Sequence, residues 1–420
     1  MENNLQYRLF APEKLDCVVE LPASKSISNR ALIINALLTG RQPGDELQNL
    51  SDCDDTEVIV RALTDMPEVI DIGAAGTAMR FMTAYLSTRD GETHILIGSE
   101  RMKHRPIGVL VDALRRLGAE IEYEGQEGFP PLRITGHHLE GGTIEMRGDV
   151  SSQFISALLL IGPMLKQGLK LVLTDRIISR PYIDLTIHTM HDFGGRVEWT
   201  DVDTITAEPS GYQPRNYLIE NDWSASSYWY EMLALMKDTG LGLQLTGLAN
   251  ASRQGDSVVR YMFTMLGVRT VFGTTEQGVP TLVTLKKTPL LPPRLDYDFI
   301  DQPDLAQTLV VSCALLNIPF RFTGLGSLRI KETDRIEALK HEMQKLGFVL
   351  EDEEAALSWN GERCEPTLQP IDTYQDHRMA MAFAPACIRF PGLRINDPQV
   401  VSKSYPRFWD DLRAAGFTIE

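Results

Sequence analysis

Five times along the chain an apolar helical pattern runs into a glycine and then into a short strand-like run. The copies are LVDALRRLGAEIEY at Gly118, TIHTMHDFGGRVEW at Gly194, VRYMFTMLGVRTVF at Gly267, ALKHEMQKLGFVLE at Gly347 and FWDDLRAAGFTIE at Gly416. Glycine just past a helix supplies the left-handed conformation that ends it, and the residues that follow suit a strand. A spacing of roughly 70–80 residues is too long for a solenoid repeat, so each copy predicts a small α/β module of its own. A sixth, less regular copy is placed at residues 23–70, where TEVIVRALTDMPEVIDI has the helix and strand but no Gly-aromatic ending.

Six modules exceed one core of ordinary size, which predicts two groups of three. The crossovers are placed at VELPAS (19–24) and LIENDWS (218–224). The first strand, at 7–10, has no helix of its own and is expected to pair with the C-terminal group, which makes one domain discontinuous. With 420 residues, 43% hydrophobic and 23% charged, the chain suits a soluble protein with two cores.

Several function classes are disfavoured. The start MENNLQYRLFAPEKL lacks a signal-peptide core, and the longest apolar run, 155–165, is broken by Gly162-Pro163 and stopped by Lys166. Neither a membrane segment nor export is expected; the predicted location is cytoplasmic. Cys17, Cys53, Cys313, Cys364 and Cys387 are odd in number and lack metal-type spacing, which reads as reduced thiols with no metal site. A net charge of −16 argues against nucleic-acid and anionic-membrane partners. Any anionic ligand must therefore meet a local cationic cluster.

Such clusters are visible at helix starts. In SKSISNRALIINALL the serines are candidate caps and Lys25 and Arg30 fall in the first turns. GAAGTAMRF opens a helix at a Gly73–Gly76 turn with Arg80 just inside. VSSQF offers Ser151, Ser152 and Gln153, RIKETDRIEAL sets Lys331 and Arg335 four residues apart, and DHRM puts Arg378 after Asp376, a cap. Cations beside an N-terminus and like charges at i,i+4 each cost a few tenths of a kcal/mol up to ~1. Used repeatedly, the arrangement predicts phosphate or carboxylate ligands, which free helix-start amides and cations bind together.

These segments, in this order, resemble the 5-enolpyruvylshikimate-3-phosphate synthase family: LPASKSISNRAL, AAGTAMRF, RMKHRPIGVLVDAL, VSSQFISALL, SRPYIDLT, DQPDLAQT, IKETDRI, YQDHRMAMAFA and VSKSYPRFW, from residue 21 to 409. The resemblance implies an α/β protein of two domains, each of three repeated βαβαββ-type modules, with the active site in the interdomain cleft. It implies domains at 1–22 plus 221–420 and at 23–220. The implied reaction moves the carboxyvinyl group of phosphoenolpyruvate to the 5-hydroxyl of shikimate 3-phosphate by addition and elimination through a tetrahedral intermediate. No cofactor is implied, and the protein is expected to work as a monomer whose domains close on ligand.

Carried over residue by residue, Lys25, Ser26, Arg30, Ser151, Ser152, Gln153, Ser179, Tyr182, Asp304, Ser327 and Lys331 are implied contacts of shikimate 3-phosphate. Lys25, Gly76, Arg105, Gln153, Arg335, Arg378 and Lys403 are implied contacts of phosphoenolpyruvate, with Arg335 and Arg378 on its carboxylate. Arg80 and Arg180 are lesser contributors to the field. Asp304 is implied to accept the 5-hydroxyl proton, and Glu332 to protonate and later deprotonate the donor methylene. Lys25 and Lys331 complete the catalytic set. Read from the residues alone, Asp304 is a helix-start charge and Glu332 an i,i+3 partner of Arg335.

Three positions depart from the family pattern: Ala74 for an asparagine, Phe81 for a proline and Ser327 for an asparagine. The first two bear on the loop beside Gly76 and the third on the shikimate phosphate. The alternatives are an enolpyruvyl transferase acting on UDP-N-acetylglucosamine, an RNA 3′-phosphate cyclase type of enzyme, and a non-catalytic anion-binding homologue.

Overall fold

The five glycines all lie in the left-handed region, with φ of +102° at Gly118, +81° at Gly194, +80° at Gly267, +89° at Gly347 and +95° at Gly416. In four copies the next amide reaches back five residues to close the helix, from Ala119 to Leu114, Gly195 to Met190, Phe348 to Met343 and Phe417 to Leu412, at 2.9–3.0 Å. The computed structural model describes residues 5–38, 42–237, 242–273 and 280–420. It divides into two units, Ala23–Ile219 and Met1–Pro22 together with Glu220–Glu420.

The unit Ala23–Ile219 holds helices α1 (Lys25–Leu37), α2 (Asp54–Asp65), α3 (Gly76–Ser87), α4 (Gly108–Arg116), α5 (Ser152–Ile161) and α6 (Arg180–Asp192). Two of its sheets follow one plan. Val69–Asp71 lies parallel to Thr93–Ile97, and the hairpin Glu120–Tyr123 with Leu132–Thr135 is added antiparallel. Gly142–Arg147, Leu169–Thr174, Val197–Asp201 and Thr204–Ala207 repeat it. Each is strand, helix, strand, helix, hairpin, the expected βαβαββ plan.

The copy at 23–70 corrects one expectation. Among the described residues its sheet is only Leu47–Gln48 beside Tyr217–Leu218, and Val69–Asp71 pairs instead with the next module. Its helix α2 ends on Met66 in the left-handed region rather than on a glycine, and no hairpin follows. The irregular sequence reflects a module without its second half.

The other unit holds α7 (Trp223–Leu235), α8 (Val259–Met265), α9 (Ala306–Leu315), α10 (Arg335–Lys345), α11 (His377–Phe383) and α12 (Phe408–Ala414). Leu295–Asp298, Phe320–Thr323, Glu351–Glu353 and Ala356–Trp359 form a complete module. In a second, the first strand is Val18–Val19 and the remaining strands run from Leu243 to Lys287, so the chain leaves and re-enters inside one module. In the third, Gln6–Phe10 supplies the last strand, antiparallel to Leu393–Asn396 and Thr418–Ile419. The N-terminal strand thus completes the C-terminal copy.

In every complete module the first helix is buried nearly all round, an element covered on all sides. All residues of α9 and α11 are buried, and α3 and α5 are buried but for one residue each. The apolar run at 155–165 is therefore core. No helix among the described residues is long and apolar enough to cross a membrane.

Candidate active site

Within Ala23–Ile219 four helix starts lie side by side. Gln153 at the start of α5 donates to Thr77 at the start of α3, 3.0 Å apart. Arg30, one turn into α1, donates to the Thr186 hydroxyl (2.7 Å), the Ser156 hydroxyl (3.3 Å) and the Tyr182 carbonyl (3.1 Å), linking α1, α5 and α6. Its guanidinium lies 5.5 Å from the centroid of Phe81 in α3. Phe81 thus supplies a cation–π face to a buried arginine, a physical role for one departure from the family pattern. Four N-terminal dipoles of like sign converge here, each near half a positive charge, an arrangement favourable to anions.

The cations stand on this platform in different ways. Lys25 is the first residue of α1 and pairs with Asp55 at 2.9 Å. The sequence signal for that partner, the acidic DCDDTE start of α2, is missed when α1 is read alone. Arg30 is 4% exposed, and burial pulls its guanidinium down to about 10, so it stays charged at neutral pH. Arg80 is also buried. It donates to the carbonyls of Gly76 (3.2 Å) and Pro106 (2.9 Å), tying the glycine turn to the segment that carries Arg105. Arg180 lies over Trp199, 4.0 Å from the ring centroid.

Gly76 leaves room for the mobile end of Arg105. A Cβ there would lie 2.5 Å from Nη1 of Arg105, inside contact distance. Ser151 caps α5, accepting from the Gln153 amide at 3.4 Å, and Ser152 is the first helical residue. Ser179 precedes α6 with φ +53° and makes no cap bond. Ser24 precedes α1 without a side-chain cap bond either, so the expectation that the SKS serines cap this helix is corrected. Ser26 contributes its carbonyl to Arg30 at 2.7 Å.

The other unit holds a second cluster, of interleaved charges. Arg335 donates through Nη1 to Asp304 (2.9 Å), through Nη2 to Glu332 (3.0 Å) and through Nε to Asp376 (2.6 Å). Arg378 reaches the other oxygen of Asp304 at 3.1 Å, Lys331 lies 3.7 Å from Asp304, and Lys403 donates to Glu332 at 2.7 Å. Arg335 and Asp376 side chains are 2% and 0% exposed, so this pair is out of water and demands good geometry. Asp376 meets that demand by also capping α11 through the Arg378 amide at 2.9 Å.

The lysine-arginine spacing in IKETDR needs correction. Lys331 and Glu332 precede the helix, Asp334 caps it by accepting from Ile336 and Glu337, and α10 begins at Arg335. No like-charge i,i+4 pair is therefore formed on the helix. Pro303 and Asp304 open a single 3-10 turn that leads into α9, as Pro at a first turn suggests. Ser327 is half-buried in the 3-10 turn Gly326–Ile330 ahead of Lys331. Lys403 ends the 3-10 turn Pro398–Lys403.

Electrostatics sets the protonation states. Burial pushes the Asp304 carboxyl up, but Arg378, Lys331 and Arg335 outweigh it and hold it well below the usual carboxylate range. Burial likewise works against the Arg335 charge and is overcome by Asp376, Glu332 and Asp304, which raise it above an ordinary guanidinium. Arg335, Arg378, Lys331 and Lys403 thus interleave with Asp304, Glu332 and Asp376. An incoming anion can replace Asp304 on the arginine forks and return proton affinity to it.

No group of three or more His, Cys, Asp or Glu among the described residues is arranged to hold a metal ion. Cys53, Cys313 and Cys387 are buried, and burial raises each thiol, which is a poor setting for a reactive cysteine.

The chain matches the family model described as EPSP synthase (3-phosphoshikimate 1-carboxyvinyltransferase) over residues 10–69 and 63–412. A 3-phosphoshikimate 1-carboxyvinyltransferase of Bacteroides fragilis is 58% identical over 418 residues, covering 99% of each chain. One from Cellvibrio japonicus is 39% identical, covering 93% of this chain and 95% of that one. Among solved structures, EPSP synthase from Acinetobacter baumannii superposes with a TM-score of 0.75 at 22% identity over 99% of each chain. The enolpyruvyl transferase NikO from Streptomyces tendae gives 0.71 at 16% identity, over 99% of this chain and 98% of that one. These last two bear on the fold alone.

Proposed function

This chain belongs to the EPSP synthase (3-phosphoshikimate 1-carboxyvinyltransferase) family, and from that membership we propose how its residues divide the work. The protein is a transferase that moves a carboxyvinyl group onto 3-phosphoshikimate. Phosphoenolpyruvate is the donor, the 5-hydroxyl the acceptor, and phosphate the leaving group.

The observation that carries the assignment of roles is the sharing of one guanidinium, Arg335, by two carboxylates, Asp304 and Glu332. Two groups that can each take or give a proton are held on one cation, with a second cation on each: Arg378 on Asp304 and Lys403 on Glu332. The donor carboxylate displaces Asp304 from the forks of Arg335 and Arg378, and Asp304 becomes a competent base. Glu332 delivers its proton to the donor methylene, and positive charge develops on the adjacent carbon. The 5-hydroxyl oxygen bonds to that carbon as its proton passes to Asp304. Phosphate leaves with the proton taken by Asp304, and return of a methyl proton to Glu332 restores the vinyl group and both carboxyl groups.

Lys25, Lys331, Lys403 and Arg105 stabilise the charge on the departing phosphate. Ser26, Arg30, Ser151, Ser152, Gln153, Ser179, Tyr182 and Ser327 hold the acceptor, with Gln153 also serving the donor. Gly76 leaves the space in which Arg105 and the donor phosphate meet. Besides its acceptor contact, Arg30 fixes the platform and its field through its bonds to Thr186, Ser26, Ser156 and Tyr182.

Purified protein should release phosphate only when shikimate 3-phosphate and phosphoenolpyruvate are both present. Equal release with UDP-N-acetylglucosamine as acceptor would overturn the assignment.

A further inference from the structure

Asp376 is held in place by a loop that cannot hold itself. The two residues before it, Tyr374 and Gln375, have φ of +53° and +57°, two consecutive side-chain-bearing residues in the left-handed region. Such strain persists only where surrounding contacts over-determine it. The amide of Asp376 is fixed by the Thr373 carbonyl at 2.8 Å, which closes the turn but does not explain why it stays strained.

The missing restraint comes from the far end of α10. Glu342 is fully buried and accepts from the Tyr374 hydroxyl at 2.6 Å and from the Asp372 amide at 3.1 Å. Lys345, one turn further, bonds Glu342 and Asp372, both at 2.8 Å, and the Pro370 carbonyl at 3.0 Å. Asn396 holds the other Asp372 oxygen at 2.7 Å, and His341 faces the Tyr374 oxygen at 2.8 Å. In sequence, EMQK reads as a surface i,i+3 pair. In the fold the pair is buried against the loop.

Glu342 lies seven residues beyond Arg335, about 10 Å along the helix axis. One helix therefore grips one loop at two points: Arg335 on Asp376 at its start, and Glu342 on Tyr374 two turns later. We infer that Glu342 and Tyr374 form a positioning clamp that sets Asp376, and through it the forks of Arg335 and Arg378 that receive the donor carboxylate. Neither residue touches the reacting atoms. The inference rests on the assignment of those two arginines to phosphoenolpyruvate.

Tyr374→Phe removes one hydroxyl and keeps the ring, so it is the primary variant; Glu342→Gln, which strips the charge facing Lys345, is the second. A displacement near 1 Å at a positioned group can cost up to ~100-fold, so we expect the KM for phosphoenolpyruvate to rise about tenfold in Tyr374→Phe. The KM for shikimate 3-phosphate should stay within about twofold and kcat within about threefold, because neither the acceptor contacts nor the proton-transfer groups are altered. Arg378→Lys, run alongside, tests the underlying assignment. If it leaves the KM for phosphoenolpyruvate unchanged, the arginine assignment is wrong. If it raises that KM while Tyr374→Phe, folded by its urea midpoint, stays within twofold of the parent, the clamp alone is overturned.

Discussion

Replacing Glu332 by glutamine separates two roles that one carboxylate can play. In the structure it is a partner of Arg335 at 3.0 Å and of Lys403 at 2.7 Å, with its side chain 14% exposed. Glutamine keeps the length and one acceptor oxygen but loses the charge and the exchangeable proton. As an ion-pair partner only, it loses the difference between charge-assisted and neutral hydrogen bonds, about 1–2 kcal/mol, and that loss falls on stability. As the acid and base at the donor methylene, it loses a proton-transfer contribution of roughly 10²–10⁴ in rate, or about 2.7–5.5 kcal/mol on the barrier. The assay is continuous phosphate release with both substrates saturating, beside calorimetric titration of shikimate 3-phosphate and a urea melt. We expect turnover to fall at least 100-fold while acceptor affinity stays within a few-fold. Turnover within tenfold of the parent, with a lowered urea midpoint, would leave Glu332 as structural and refute its catalytic assignment.

Gly76→Ala should leave the melting temperature almost unchanged, because the clashing atoms are the mobile end of Arg105, yet raise the KM for phosphoenolpyruvate about tenfold or more as that guanidinium is displaced. Lys25→Ala should destabilise by about 3 kcal/mol, since Asp55 is only 6% exposed and loses its partner; adding Asp55→Asn should recover most of that stability by urea melt while phosphate release stays lost. Asp304 has a folded pKa below its unfolded value of about 3.9, so its stabilisation is complete above that value and declines as pH falls. Asp304→Asn should therefore flatten the loss of stability between about pH 4 and pH 2, measured by urea midpoints at each pH.

The Lys25 prediction marks where sequence reasoning stopped short. A lysine at a helix start reads as unfavourable until ligand arrives, and on that reading its removal is harmless to folding. Asp55, 30 residues later and buried, already compensates it. Asp376 is legible as the cap of α11 because the cap lies two residues from the amide it serves, whereas its bond to Arg335 spans 41 residues. The SKS serines mislead in the opposite sense: Ser24 has the right type and position for a cap and makes no cap bond. Glu342 and Lys345 have the spacing of a surface pair, and nothing in the spacing reveals that a loop covers them.

Sequence alone determined the module and its number of copies, since helix periodicity, a left-handed glycine and the strand after it are local interactions closed within a few residues. It also placed Lys25, Gly76, Ser152, Arg335 and Arg378 at helix starts. Tertiary structure decided which starts converge and which carboxylate faces which cation. It also decided that one module is halved, one interrupted and one completed by the N-terminal strand. Those outcomes depend on contacts between residues tens to hundreds of positions apart, such as Gln6 opposite Asn396. Coulomb energy depends on distance and burial, and neither is set until the chain has folded.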